Sequence, residues 1–251
     1  MKVRSFALSL AGAIVAVAIW WGATIVFHIE KFFLPSPADI AGSFREQPDY
    51  LLEQTGNTLV SMLTGFGIAM AAGLALAILL AASSTIERAT LPLFVALNAV
   101  PKVAIAPLLV AWLGFGSRPK IVMVVLICFF PIIVSAAAGL ASTPAELGEL
   151  VRSLSASWWQ TYVKVRLPWA LPQIFVGLKV SMGLAVIGVV VAEINSPQSG
   201  LGSVIVLSGQ SLNSSLAFAA ITILALISVA LFYLVVGIER LLLPWAKEIA
   251  A

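Results

Sequence analysis

The chain has 251 residues, of which 61% are hydrophobic and 10% charged, and its mean hydropathy is +1.08. Soluble domains carry roughly 25% charged residues, so this composition excludes an ordinary soluble domain and indicates an integral membrane protein. The helical spans predicted below make its expected fold class all-α. The single cysteine, Cys128, excludes a disulfide framework and a cysteine metal site. The net charge of +3 is modest, and we read it as a topology signal; no nucleic-acid partner is expected.

The first apolar run covers residues 6–29 and follows the basic residues Lys2 and Arg4. It is longer than the roughly 7–15 residues of a signal-peptide core and lacks a small-residue cleavage site, so we predict an uncleaved transmembrane helix. His28, the only histidine, lies near its end. An interfacial position is favoured over a ligand role, because no second histidine or carboxylate cluster completes a site.

A polar connector of residues 30–54 follows, with five acidic and two basic side chains, and we expect it to be extracytoplasmic. The next apolar run, 58–82, is rich in glycine and alanine. Small residues let helices approach closely in lipid, so this run predicts an interior packing helix. A short turn at residues 83–88 ends it.

The third apolar run, 91–114, contains Pro101, Lys102 and Pro107. A charge near the bilayer centre costs roughly 2.5–3.5 kcal/mol on insertion scales, so Lys102 should face protein or water. A structural ion pair or an interfacial position is as consistent with this as a role in lining a pathway. Pro101 favours a break in the helix.

Three further spans are predicted, giving six transmembrane helices in total. They are residues 121–140, interrupted by Pro131, residues 171–192, with Lys179 inside and Glu193 at the far end, and residues 216–238. Between the last two, the apolar piece 204–207 is too short to span and is expected to be re-entrant or interfacial. A charged tail, 239–251, ends the chain.

Residues 143–168, which we call the knob, form the longest polar interruption in the second half of the chain. Thr143, Pro144 and Glu146 predict the start of one short helix, and Ser157 with Gln160 repeats the capping box for a second.

The predicted first helix of the knob places its apolar side chains at i, i+3, i+4 and i+7. These side chains are Leu147, Leu150, Val151 and Leu154. A turn is expected at 153–156, and Leu167-Pro168 is expected to break the second helix, which starts at Trp158.

A loop that only connects two spans could be a few residues long, so the knob suggests docking into a groove on another protein. A helix pair lying flat on the lipid surface is the alternative. No Gly-x-x-x-x-Gly-Lys-[Ser/Thr] sequence occurs in the chain, so nucleotide chemistry would have to come from a separate subunit.

With the knob in the cytoplasm, alternation of the spans places both termini inside. Eight basic residues then lie inside and four outside, which favours this orientation. Arg118 and Lys120, in a short outside loop, argue against it.

The knob resembles the EAA loop of ABC-importer permeases, in which a glutamate is followed after six residues by glycine and after nineteen by proline. Glu149, Ser155 and Pro168 occupy those places, so a serine stands where the family has glycine. Further pieces resemble the permeases of the nitrate, taurine and aliphatic sulfonate importer family, which includes presumed transporters of pyrimidine vitamin precursors and aromatic acids. These pieces are LPSPADI, AVPKVAIAPLLVAWLGFG, FFPIIV, KVRLPWALPQIFVGLKVSMGLAVIGVVVAE and GLGSVI.

This resemblance implies a type I importer in a bacterial inner membrane, with two permeases, usually identical, two cytoplasmic ATPases and an extracytoplasmic solute-binding protein. It implies a single transmembrane domain over 1–251, with the first span in 1–29 and the core permease in 56–240. No cofactor is expected in this chain, because ATP and magnesium would bind the ATPase. The residues it implies for ATPase coupling are Glu146, Glu149, Arg152, Ser153, Ser155, Ala156, Ser157, Leu167 and Pro168.

The solute pathway is a separate hypothesis that rests on intramembrane charge. Lys102, Lys179 and Glu193 are expected to face the dimer interior, because lipid exposure would be costly for each. Two lysines against one carboxylate would suit an anionic solute such as a sulfonate, taurine or nitrate. The same three residues could instead pair with each other.

Two rival classes are less well supported by the sequence. A secondary transporter would normally show internal repeats with paired broken helices, and none is apparent. An intramembrane protease would need a nucleophile or metal set, and the chain has one histidine, no Gly-x-Ser-Gly and no His-Glu-x-x-His.

Overall fold

The structure, a computed structural model, describes residues 2–81 and 84–245, and within these ranges it contains helices and no strands. The helices are, in chain order, α1 (Lys2–Val26), α2 (Pro37–Glu46), α3 (Pro48–Ala81), α4 (Ser84–Ala99), α5 (Ala106–Leu113), α6 (Ser117–Ala141), α7 (Ala145–Ser153), α8 (Trp158–Thr161), α9 (Leu167–Asn195), α10 (Leu201–Gln210) and α11 (Ser214–Leu242). A 3₁₀ turn, Lys102–Ile105, precedes α5, and a π-helical turn, Tyr162–Arg166, joins α8 to α9.

Within the described residues, four helical segments are long and apolar enough to cross a membrane: α3, α6, residues 158–195 and α11. This confirms an all-α membrane protein, whereas the number six stays a prediction. The predicted third span is not one helix. It is broken at Val100 and Pro101, because proline disfavours helical geometry at the residue before it.

The predicted connector, 30–54, is largely helical. It holds α2 and the first turns of α3, so the second apolar helix starts at Pro48 instead of residue 58. Proline fits the first turn of a helix, where its missing N–H would have no partner. Ser36 caps α2 through a capping box with Asp39. Hydrogen bonds from Lys31 and Ser36 hold the pKa of the Asp39 carboxyl below its usual range.

Two prolines that were predicted to interrupt helices lie inside continuous ones. Pro131 lies within α6. Pro168 is the second residue of α9 and follows the π-helical turn, so the helix runs unbroken for 38 residues from Trp158 to Asn195. Pro168 has no backbone N–H to donate, and the π-helical turn before it has a wider hydrogen-bond spacing than an α-helix. Membrane helices tolerate such local adjustments of their hydrogen bonds. The expected break at Leu167-Pro168 is therefore wrong.

The core is formed where α3, α6 and α9 pack together through small residues. A Cβ built on Gly65 would lie 2.7 Å from Cβ of Val124, and one built on Gly177 would lie 2.5 Å from Cβ of Ser135. Only glycine permits these approaches, which agrees with the prediction of an interior packing helix over 58–82. This packing fixes the position of the long helix 158–195, whose two ends carry the features described next.

Candidate functional site

The second capping box of the knob is confirmed. The backbone N–H of Gln160 donates to Ser157 Oγ at 3.3 Å, and Ser157 N–H donates to Gln160 Oε1 at 2.9 Å. The predicted first box is wrong. Pro144 occupies the N-cap position without a side-chain hydrogen bond, because the Thr143 hydroxyl donates instead to the Leu140 carbonyl at 3.2 Å.

The bend between α7 and α8 is a Schellman motif centred on Ser155. Ala156 N–H donates to Val151 O at 3.2 Å, Ser155 N–H donates to Arg152 O at 3.0 Å, and Ser155 has a φ of +51°. This is the left-handed position that glycine favours at helix ends. The serine thus adopts the conformation expected of the glycine that the EAA pattern has there. The helix before it continues through Ser153, so the bend lies slightly later than predicted.

Most residues predicted to couple to an ATPase lie on the surface of the knob. Exposed members are Glu146, Glu149, Arg152, Ser153, Ser155 and Ser157, whereas Ala156, Leu167 and Pro168 are half-buried. Leu167 and Pro168 lie at the start of α9 and so join the knob directly to the apolar helix.

The apolar face of the knob is divided between the protein interior and the surface. Val151 is buried, whereas Leu154 is 71% exposed, Trp159 is 68% exposed and Leu150 and Trp158 are more than half exposed. The knob therefore presents exposed leucine and tryptophan side chains that the described part of the chain leaves uncovered.

The base of the knob is held to the ends of two other helices. Tyr162 is buried, and its hydroxyl donates to the carbonyl of Ala81, the last residue of α3, at 2.5 Å. The Trp158 ring stacks on it at 4.4 Å, and Arg166 donates to its hydroxyl at 3.0 Å. The Trp169 indole donates to Ser142 O, just after α6, at 3.1 Å. The knob is thus fixed at its base and free at its surface.

At the opposite end of the same helix, the carboxylate of Glu193 is completely buried. Thr58 Oγ1 donates to it and lies 2.9 and 3.1 Å from its two oxygens, and the backbone N–H of Gly202 donates to Oε2 at 2.9 Å. Lys120 Nζ lies 3.7 Å from Oε1 and is also buried. The carboxylate is therefore neutralised by one cation and hydrogen-bonded at the start of α10.

The groups around Glu193 are themselves bonded, and we call the set of Gln54, Thr58, Lys120, Glu193 and residues 199–203 the Glu193 cradle. Lys120 Nζ donates to the carbonyl and hydroxyl oxygens of Ser199 at 2.7 and 2.8 Å. Leu201 N–H donates to Thr58 Oγ1 at 2.8 Å, and Gly200 N–H donates to Gln54 Oε1 at 2.6 Å. The first amide groups of a helix have no partner within it, and here side chains of α3 and α9 accept from them.

The cradle was not predicted from the sequence, because Lys120 was expected in an outside loop. Lys120 in fact lies in the first turn of α6 and points into the protein. The available signal was Gly200-Leu201-Gly202 at the start of the short apolar stretch that forms α10, since the start of a helix accommodates a carboxylate. Gly200 has a φ of +96°, and a Cβ built on it would overlap the Glu193 carboxylate.

The three predicted pathway residues lie apart, each with partners of its own. Glu193 contacts the cradle, and Lys179 Nζ lies 2.9 and 3.0 Å from the carboxylate oxygens of Glu239 on α11. Lys102 Nζ donates to Asn98 Oδ1 and lies 6.0 Å from the centre of the Phe130 ring. The alternative that these three residues pair with each other is therefore wrong, although two of them do form ion pairs.

Lys102 borders a cavity of about 440 Å³ between the broken α4–α5 segment and α6. Its walls are almost entirely apolar, with aromatic side chains Phe94, Phe129 and Phe130, and Asn98 and Lys102 are its polar side chains.

Comparison with known proteins agrees with this architecture. Residues 57–248 match the family of the binding-protein-dependent transport system inner membrane component. The chain is 35% identical to the riboflavin transport system permease protein of Chloroflexus aurantiacus over 95% of this chain and 90% of that protein. It is 32% identical to the formylaminopyrimidine transport permease protein of Halalkalibacterium halodurans, over 87% and 88% respectively.

The taurine transport system permease protein of Escherichia coli is 29% identical over 98% of this chain and 92% of that protein. The resemblance to ABC-importer permeases is thereby confirmed. The chain belongs to the family of binding-protein-dependent transport system inner membrane components.

Proposed function

We propose that this permease moves a small solute across a bacterial inner membrane, driven by a separate ATP-hydrolysing subunit that docks on the knob. The observation that carries the proposal is the exposed leucine and tryptophan surface of the knob, centred on Leu154 and Trp159. An amphipathic helix with an uncovered apolar face suits a groove on a partner protein. This step needs only the exposed surface, and the geometry of the bend at Ser155 does not enter it.

The continuous helix 158–195 supports a mechanical role for the docked knob. Its 38 residues correspond to about 57 Å at the usual rise per residue. The exposed Trp158 and Trp159 lie at its first turn and Glu193 at its last. A displacement at the docked end would therefore be carried to the Glu193 cradle and α10 without an intervening hinge at Pro168.

The proposed assembly contains two copies of this chain, two cytoplasmic ATPases that bind ATP and magnesium, and an extracytoplasmic solute-binding protein. Each copy would form one transmembrane domain with six spans and both termini in the cytoplasm. The described part of α1 and most of α11 expose apolar side chains. Those surfaces suit contact with lipid or with the second copy.

For the solute we propose a small anion that carries a sulfonate, nitrate or similar group. Lys102 supports this, because no carboxylate pairs with it in the described part of the chain. The contacts of Lys179 and Glu193 support structural roles for those two residues. A second candidate is a heterocyclic vitamin or its precursor, which the relatives named for riboflavin and formylaminopyrimidine favour.

The test is affinity purification of the full chain from its own cells, followed by reconstitution in lipid vesicles. We expect a P-loop ATPase to copurify and uptake to require ATP. Glu149→Lys should weaken ATPase retention, whereas Glu46→Lys, which changes another exposed glutamate, in α2, should not. Uptake driven by an ion gradient without an ATPase would favour a secondary transporter, and hydrolysis without any partner would favour an enzyme.

A further inference from the structure

Three lysines lie in apolar parts of the described chain, and one of them differs from the other two. Lys120 is paired with Glu193, and Lys179 with Glu239. Lys102 has an amide, Asn98, and an aromatic ring, Phe130, as its neighbours, and no carboxylate pairs with it among the described residues. An intramembrane cation is costly unless it is paired or hydrated. Among the described residues, Lys102 therefore has no carboxylate partner of the kind that Lys120 and Lys179 have.

The break at Pro101 places Lys102 at the wall of the cavity. Asn98 precedes the break and Lys102 follows it, and the hydrogen bond between their side chains links the two sides of the interruption. Interrupted helices in membrane transporters commonly form binding sites, because their freed polar groups line a cavity. Here the interruption orients an ammonium group along the edge of an apolar space.

The cavity has the size and lining of a site for an organic molecule. Its volume of about 440 Å³ falls within the roughly 300–1,000 Å³ of typical small-molecule pockets. Phe94, Phe129 and Phe130 provide aromatic surface, and Lys102 provides the positive charge. An inorganic oxyanion would fill little of this space and would leave the aromatic walls without contacts.

We propose that this cavity binds a small organic anion, with its negatively charged group at Lys102 and an aliphatic or aromatic body against Phe94, Phe129 and Phe130. The role of the site in transport rests on the proposed function. In that role it is a binding site on the solute pathway that favours organic anions over inorganic ones. Asn98 positions the ammonium group, and the apolar walls select the body of the solute.

The experiment uses the full chain, in the assembly in which it purifies, in lipid nanodiscs without ATP. The probe is 4-benzoylbenzoate, a photoreactive aromatic anion, and labelled residues are located by peptide mass spectrometry. We expect labelling within residues 94–130, at least tenfold weaker in Lys102→Gln and retained in Lys102→Arg. Lys31→Gln, which changes an exposed lysine outside the apolar helices, is the matched control and should label like the wild type.

Competition identifies what the cavity recognises. Benzenesulfonate should suppress labelling, whereas nitrate and the neutral benzenesulfonamide should not. The proposal would be overturned by equal competition from benzenesulfonamide, or by labelling that Lys102→Gln leaves unchanged. It would also be overturned if only phosphatidylglycerol competed, or if two copies of Leu97→Cys formed a disulfide bond with each other. If labelling fails while ATP-driven uptake persists, only this inference is lost; if labelling succeeds while no ATPase copurifies, only the proposed function is lost.

Discussion

The two ends of helix 158–195 differ in how their side chains find partners. At the Glu193 cradle a carboxylate, a lysine and the amide groups that begin α10 are bonded to one another within the chain. At the knob, Leu154 and Trp159 are exposed although both are strongly apolar. The polar groups at the first end are satisfied within one chain, whereas the second end leaves large apolar side chains exposed.

This contrast predicts two kinds of response to substitution. Removing a partner in the cradle leaves a buried polar group unsatisfied, so it should destabilise the fold itself. Removing an exposed apolar side chain in the knob costs the isolated chain little, so its effect should appear in assembly.

Glu193→Ala should have the largest effect, because it leaves the buried Lys120 ammonium without its carboxylate and Gly202 N–H without its acceptor. Breaking a buried ion pair by removing one partner costs about 3–5 kcal/mol. We expect the folded fraction in detergent, measured by fluorescence-detected size-exclusion chromatography after heating, to fall sharply.

Charge balance at the cradle can be separated from hydrogen bonding with milder variants. Glu193→Gln keeps an acceptor for Gly202 N–H and should lose less stability, and adding Lys120→Met should recover part of the remainder by removing the unpaired cation. Wild-type thermal stability in Glu193→Ala would show that α10 is held by packing alone, and would end the contrast between the two regions.

Gly200→Ala tests whether the backbone of the cradle needs glycine. A Cβ at this position would overlap the Glu193 carboxylate, and the φ of +96° is unfavourable for alanine. Overpacking and the backbone cost together amount to about 2–4 kcal/mol. Gly209→Ala, in the helix α10 that Gly200 precedes, is the control, because a Cβ there would meet nothing within 4 Å. Equal thermal midpoints for the two variants would contradict the close fit.

Trp159→Ala should behave in the opposite way. The side chain is 68% exposed, so the stability of the isolated chain should change by no more than about 0.5 kcal/mol. Tryptophans at the centre of an interface commonly contribute about 2 kcal/mol or more to binding, which corresponds to a roughly 30-fold loss of affinity. ATPase retention during purification measures this, and unchanged retention would argue against the knob as the docking surface.

The structure follows the sequence most closely where a local pattern decides it. The second capping box of the knob and the interruption at Pro101 were both visible in short stretches of sequence. Proline was misleading inside longer helices. At Pro131 and Pro168 the helix continues, because neighbouring helices and a π-helical turn compensate for the missing hydrogen bond.

The Glu193 cradle could not be predicted because it joins residues that are far apart in the sequence. Thr58 and Glu193 are separated by 135 positions, and Lys120 and Ser199 by 79. Intramembrane charge identified Lys102, Lys179 and Glu193 as unusual without showing their partners. Those partners depend on how α3, α6 and α9 pack, which is a property of the tertiary structure.

Ser155→Gly should have the smallest effect. It tests whether the backbone of the knob depends on the residue at its bend, as the backbone of the Glu193 cradle depends on Gly200. Both Ser155 and Gly200 have positive φ angles, but at Gly200 a side chain cannot fit, whereas at Ser155 it is merely strained. Replacing the serine with glycine should relieve about 1 kcal/mol of backbone strain. The greater conformational freedom of glycine in the unfolded chain offsets part of this gain in stability. Hydrogen exchange of the Ala156 amide, which closes the Schellman motif, should therefore slow by up to roughly fivefold with ATPase coupling intact. Faster exchange would mean that the serine stabilises the bend. The knob would then depend on the residue at its positive-φ position, Ser155, as the cradle depends on Gly200.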